Sequence, residues 1–192
     1  IRPEGDPLVW REMAWYGAHM AYMEEEAGMT GVVNAAIYSG WGHFGFHWIT
    51  PFHNIAGMLT ESASARLASP LYLHPDQLRG GARGLPEYEA QTTFPNPWPG
   101  GWWRVRDIVE RQKVAALAAL DFAVKHLQPR GNFLVKTFQG AGYDAFVAAM
   151  RHSFVEVHTR KPQASRSRSS EVYLVGKVLR NHDESRASAA CA

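Results

Sequence analysis

The stretch from Trp102 to His126 constrains this chain most. Val105, Ile108, Val109, Val114, Leu117, Leu120, Val124 and Leu127 recur at helical spacing, with Arg106, Glu110, Arg111 and Lys113 among them. That pattern predicts one amphipathic helix with a buried apolar face. The chain differs on its two sides. Before the helix runs an aromatic segment punctuated by Pro and Gly; after it comes a compact, basic strand-helix-strand pattern. The helix therefore reads as a seam between two kinds of sequence.

A chain of 192 residues can form one domain or two small ones, and 46% hydrophobic with 20% charged residues excludes gross disorder. The single cysteine, Cys191, has no partner, which excludes an internal disulfide framework and a zinc site built on several thiolates. The chain has no apolar run of membrane-spanning length and no secretory signal order, so a cytoplasmic location is expected. Starting at Ile1, it reads as a processed protein or a fragment. The net charge of +2 hides an uneven distribution. Residues 1–129 hold ten Lys/Arg against thirteen Asp/Glu, whereas residues 130–180 hold nine against three, a block of +6. Such a block suits a polyanion, and also suits a solvated charged surface.

From the N-terminus, residues 8–27 read as a helix with Leu8, Trp15, Ala18, Tyr22 and Met23 roughly on one face and Gly28 as its stop. Val32–Tyr38 reads as a strand. Gly40, Gly42 and Gly45 follow in dinucleotide-loop spacing, but the next residues, Phe46 to Pro51, read as extended chain rather than the helix a phosphate needs. His43 and His47 are spaced for a metal on a helix, with His53 further on. The intervening glycines argue against a helix there, so hydrogen-bonded histidines are the expectation. Ile55–Thr60 reads as a strand that delivers Glu61 at its carboxyl end, where open α/β sheets present catalytic groups. A capping or salt-bridged glutamate is the structural alternative.

Several motifs here share one family's order: Ala56-Gly57-Met58-Leu59-Thr60-Glu61-Ser62-Ala63-Ser64, Ser69-Pro70-Leu71-Tyr72, Leu85-Pro86-Glu87-Tyr88-Glu89, and Phe94-Pro95-Asn96-Pro97-Trp98-Pro99-Gly100-Gly101-Trp102-Trp103. With them, residues 5–120 resemble the C-terminal half of bacterial zinc carboxypeptidases of the carboxypeptidase A type. The resemblance implies Glu61 as the general base on zinc-bound water and Tyr38 as a contact to a peptide substrate. The family's His-x-x-Glu zinc motif does not occur in this chain, so no metal ligand is assigned. The aromatic loop Thr92–Trp103 is expected to pack its tryptophans, with a carbohydrate or peptide platform as the functional alternative.

Beyond the seam, Asn132–Phe138 reads as a strand, Tyr143–His152 as a helix, Phe154–Thr159 and Glu171–Val178 as strands, with a basic loop between the last two. Lys136 sits inside an apolar run, where a lysine is costly unless paired and desolvation favours its neutral, general-base form; an edge-strand or snorkelling lysine is the structural alternative. Phe133-Leu134-Val135-Lys136-Thr137-Phe138-Gln139-Gly140, Thr159-Arg160-Lys161-Pro162, Ala164-Ser165-Arg166-Ser167-Arg168-Ser169 and Ser170-Glu171-Val172-Tyr173-Leu174-Val175 are similar to the C-terminal third of the FtsJ (RrmJ) family. These are S-adenosylmethionine-dependent ribose 2′-O-methyltransferases of large-subunit ribosomal RNA. The resemblance, over about residues 117–180, implies that Lys136 and Glu171 are the last two members of a Lys-Asp-Lys-Glu tetrad. It also implies that Arg160, Lys161, Arg166 and Arg168 engage RNA phosphates. The first lysine, the aspartate and the cofactor loop have no counterpart here.

The expectation is a composite α/β chain: partial mixed sheets with flanking helices, joined through one long amphipathic helix. Residues 1–116 form the carboxypeptidase-like part, 117–180 the FtsJ-like part, and 181–192 a flexible tail. Zinc and S-adenosylmethionine are the cofactors the two families imply, each with an incomplete site, and exposed sheet edges invite oligomerisation. The alternative is an inactive fusion or fragment that retains RNA binding through its basic block.

Overall fold

The computed structural model describes residues 5–36, 49–65, 69–82 and 85–180. It is of the mixed α/β class, with helices and small antiparallel sheets. By its internal contacts the chain divides into two compact units, residues 1–118 and 119–192.

The first helix, α1, spans Pro7–Glu26. Asp6 caps it, its carboxylate accepting the Leu8 amide at 2.8 Å, and Pro7 sits where a missing N–H costs nothing. Gly28, at φ 78°, ends it with its amide on the Glu25 carbonyl. The expected apolar face does not point inward: Val9 and Met20 are buried, whereas Leu8, Trp15 and Tyr22 are exposed. Apolar residues are spread around this helix, so spacing alone did not identify the packed side.

Two expected strands do not form over their described residues. Residues 32–36 are irregular, with Ala35 at φ 58°, and this segment is instead fastened by the amides of Gly31 and Asn34 to the carbonyls of Asn96 and Thr93. Residues 55–60 are irregular too, and Ile55 and Leu59 are exposed. A strand needs a neighbour for its amides and carbonyls. Here the chain is tied through its side chains instead: Gln112 donates to Ser62 Oγ at 2.7 Å and accepts from Thr60 Oγ1 at 3.0 Å. The sheet of this unit is the short pair β1 (Leu71–Leu73) and β2 (Gly101–Trp103), antiparallel with Tyr72 opposite Trp102. Phe94 and Trp103 are buried, and the Trp103 indole donates to the Ala63 carbonyl at 2.9 Å. Trp102 faces outward with the Arg104 guanidinium over its ring at 5.0 Å. Packing thus accounts for part of the aromatic loop.

Helix α2 spans Val105–His126, close to the range its periodicity predicts. Its buried residues are Ala115, Ala118, Ala119, Leu120, Phe122 and Ala123, while Val105, Val109 and Leu117 are exposed. The packed stripe is rotated from the expected one onto alanines at helical spacing, whose small side chains allow close approach. Asp107 at its start accepts the Arg104 amide at 2.7 Å.

The C-terminal unit matches its expected elements closely: β3 (Asn132–Phe138), α3 (Tyr143–Ser153), β4 (Phe154–Arg160) and β5 (Glu171–Leu179). The sheet order is β3-β5-β4, with both pairings antiparallel. Phe133, Val172, Leu174 and Gly176 share the buried face with Val147 and Met150 of α3 and with Phe154. Phe133 and Phe154 stack at 6.1 Å. A Cβ on Gly176 would lie 2.6 Å from the Phe154 ring and 3.0 Å from the Met150 methyl, so glycine is required there by space. Gly176→Ala is expected to destabilise the chain by about 1–3 kcal/mol, read as a lower urea midpoint.

Burial pushes the Glu24 carboxyl above its ordinary range, Arg111 opposes this, and Glu25 adds to it. Because the folded state holds this proton more tightly than the unfolded one, the group's contribution falls as pH rises through the carboxylate range. Glu24→Gln should therefore raise the melting temperature at neutral pH, and that gain should vanish in acid, where Glu24 is protonated in both states.

Candidate active site

The pleat of the C-terminal sheet sorts its residues onto two faces. Opposite the buried face lie Leu134, Lys136 and Phe138 of β3, Glu171, Tyr173, Val175 and Lys177 of β5, and Glu156, His158 and Arg160 of β4. Lys136 and Arg160 both pair with Tyr173 in the register, so these three form one row across the strands. Phe138 pairs with Glu171 one step along.

Lys136 Nζ lies 2.9 Å from Glu171 Oε2, a diagonal contact between neighbouring strands. The lysine side chain is 40% exposed and the glutamate 23%. The expected buried lysine is thus corrected: alternation turns residue 136 to the open face although its neighbours Val135 and Thr137 point the other way. Lys136 Nζ also stands 5.6 Å from the centre of the Phe138 ring. The carboxylate is held by the end of the ladder. Its own amide donates to Ser169 Oγ at 3.2 Å, and the Gln139 amide donates to the Ser170 carbonyl at 2.9 Å, carrying the β3-β5 pairing into the loop. An amine fixed beside a carboxylate on a solvent-facing sheet can exchange a proton with a hydroxyl brought to it.

The other expected residues are placed as follows. Arg160 ends β4, and Arg166 and Arg168 are exposed on the loop before β5. Lys161 folds back, its ammonium donating to the Ser169 carbonyl, so part of its donor capacity closes the loop. On the same face the Glu156 carboxylate accepts from His158 Nε2 at 3.0 Å, and this contact holds the Glu156 carboxyl below its ordinary range. Phe138 and Tyr173 were not singled out from the sequence, although the two-residue period from Lys136 and Glu171 puts them on this face.

Glu61 lies in irregular chain and is exposed, away from any strand end. Tyr38, His43, His47 and the glycines at 40, 42 and 45 lie outside the described residues. Among the described residues no group of three His, Cys, Asp or Glu side chains is arranged to hold a metal, and no helix is long and apolar enough to cross a membrane.

Residues 107–179 match the profile of the FtsJ-like methyltransferase family, beginning ten residues before the expected range. The ribosomal RNA large subunit methyltransferase E of Neisseria gonorrhoeae is 66% identical over 62 residues, which are 32% of this chain and 30% of that protein. The protein of the same name from Chromobacterium violaceum is 61% identical over 62 residues, with the same coverage. That of Methylobacillus flagellatus is 56% identical over 75 residues, 38% of this chain and 36% of its own length. The chain thus spans about a third of the length of the curated relatives it matches. These matches support the FtsJ-like segment, whose family implies S-adenosylmethionine. They lend nothing to the carboxypeptidase resemblance, to zinc or to a fusion.

The ion pair is half open to solvent, so it should add little stability. A double-mutant cycle with Lys136→Met and Glu171→Gln should return a coupling of at most about 1 kcal/mol, shrinking as salt is raised.

Proposed function

We propose that the segment 107–179 supplies the acceptor side of ribose 2′-O-methyl transfer to large-subunit ribosomal RNA. The observation that carries this reading is the 2.9 Å Lys136–Glu171 pair on an open sheet face, inside the region similar to FtsJ-like methyltransferases. In this reading the Lys136 amine is the acceptor for the proton of a ribose 2′-hydroxyl, and Glu171 holds the amine in line and stabilises the ammonium that results. Arg160, Arg166 and Arg168 meet the phosphates on either side, which makes binding depend on salt.

S-adenosylmethionine supplies the methyl group in the related family. A cofactor of that size needs a concave slot for its adenine. Around the pair the described residues form an open face instead, and a Cβ on Gly140 or Gly142 of the adjoining turn would meet nothing within 4 Å. The residues there do not cradle the cofactor, so the proposal is confined to what Lys136, Glu171 and the arginines do for the RNA.

A ribose hydroxyl facing Lys136 makes RNA distinguishable from DNA at this site. The full chain should bind a single-stranded ribosomal RNA oligonucleotide more tightly than the 2′-deoxy strand of the same sequence. Lys136→Ala and Glu171→Gln should erase that preference and leave DNA affinity unchanged. Equal affinity of the unmodified chain for both strands would defeat the reading.

A further inference from the structure

We infer that the outward ring of Phe138 is a stacking surface for an unpaired base of the RNA strand whose ribose faces Lys136; this rests on the acceptor-side reading above. An exposed phenylalanine by itself means little. What sets this one apart is its surroundings. Phe138 is 58% exposed at the last position of β3, directly opposite Glu171 in the register. The Lys136 ammonium sits 5.6 Å from its ring centre while holding the Glu171 carboxylate, so the ring borders the pair. The turn that follows is exposed from Gln139 to Gly142, and its two glycines face open space. The Lys136 ammonium lies over the ring, and the 58% of Phe138 that is exposed is the surface a planar group can meet.

The charge on this face and on its adjoining loop selects the occupant. Arg160 lies on the same face, and Arg166 and Arg168 are exposed on the loop that leads into Glu171. An aromatic surface among cations fits a ligand that has flat rings and repeated negative charge, which is a single-stranded nucleic acid. A duplex keeps its bases stacked inside and offers no face to the ring. An acidic polysaccharide would use the cations without requiring the aromatic, and is the competing occupant.

The test is fluorescence anisotropy on the full chain with a labelled single-stranded RNA of about eight nucleotides, an abasic strand of the same length, and heparin. Phe138→Leu should weaken RNA binding roughly tenfold, and Phe138→Trp should restore it, because stacking rather than charge is altered. All three proteins should bind the abasic strand and heparin equally. The salt dependence should keep its slope in Phe138→Leu, whereas Arg160→Gln should lower the slope by about one. Unchanged RNA affinity in Phe138→Leu, or an equal loss on the abasic strand or heparin, overturns the inference while leaving the acceptor-side reading standing if the RNA over DNA preference persists. Absence of RNA binding by the unmodified chain overturns both.

Discussion

Strand β5 is hydrogen-bonded on both sides, and the C-terminal unit depends on that double pairing. With both edges committed, its residues can only alternate between faces, so Val172, Leu174 and Gly176 turn toward α3 while Glu171, Tyr173, Val175 and Lys177 turn away. The buried side is closely packed: Phe154, Met150 and Leu174 are fully enclosed, and burial of such side chains is worth about 1.5–3 kcal/mol each. A slip by one residue would put Glu171 inside and Leu174 outside. Core packing therefore sets the position of the carboxylate that meets Lys136.

The ion pair itself contributes little to holding the fold, since both partners retain access to water. That access is what makes the pair usable, because an amine that is to take a proton must be reached by the hydroxyl that gives it. Its precision comes from its supports. Lys136 and Glu171 stand on paired strands, and the loop into Glu171 is closed by the Lys161 contact to Ser169 and by the Ser169 hydroxyl under the Glu171 amide. Of the nine Lys/Arg in residues 130–180, Lys136, Arg160 and Lys177 lie on this face and Lys161, Arg166 and Arg168 on the loop before β5.

The N-terminal unit is fastened differently. Side chains anchor irregular backbone there: Gln112 grips residues 60 and 62, Trp103 holds the Ala63 carbonyl, and the Tyr88 hydroxyl donates to the Trp98 carbonyl. With residues 55–60 fastened from the side, Glu61 has no strand end to stand on. The motifs of residues 56–103 are distinctive as a string, but a catalytic carboxylate is a matter of surroundings, and those around Glu61 are open solvent and loop.

By itself the sequence determined the elements whose signals are local. Gly28 bounded the first helix, the helical spacing of 105–127 specified the second, and the β-rich runs between Phe133 and Leu179 specified three strands. It also tied Lys136 and Glu171 together through a resemblance of motifs. What the tertiary structure alone decided is which side of each element is inside. The alanine stripe of the second helix, the outward turn of Leu8 and Trp15, the half-open state of Lys136, and the placement of Phe138 beside it all depend on contacts between distant residues. Periodicity reports that a face exists; only the neighbour that packs against it, or the strand that pairs with it, selects the face.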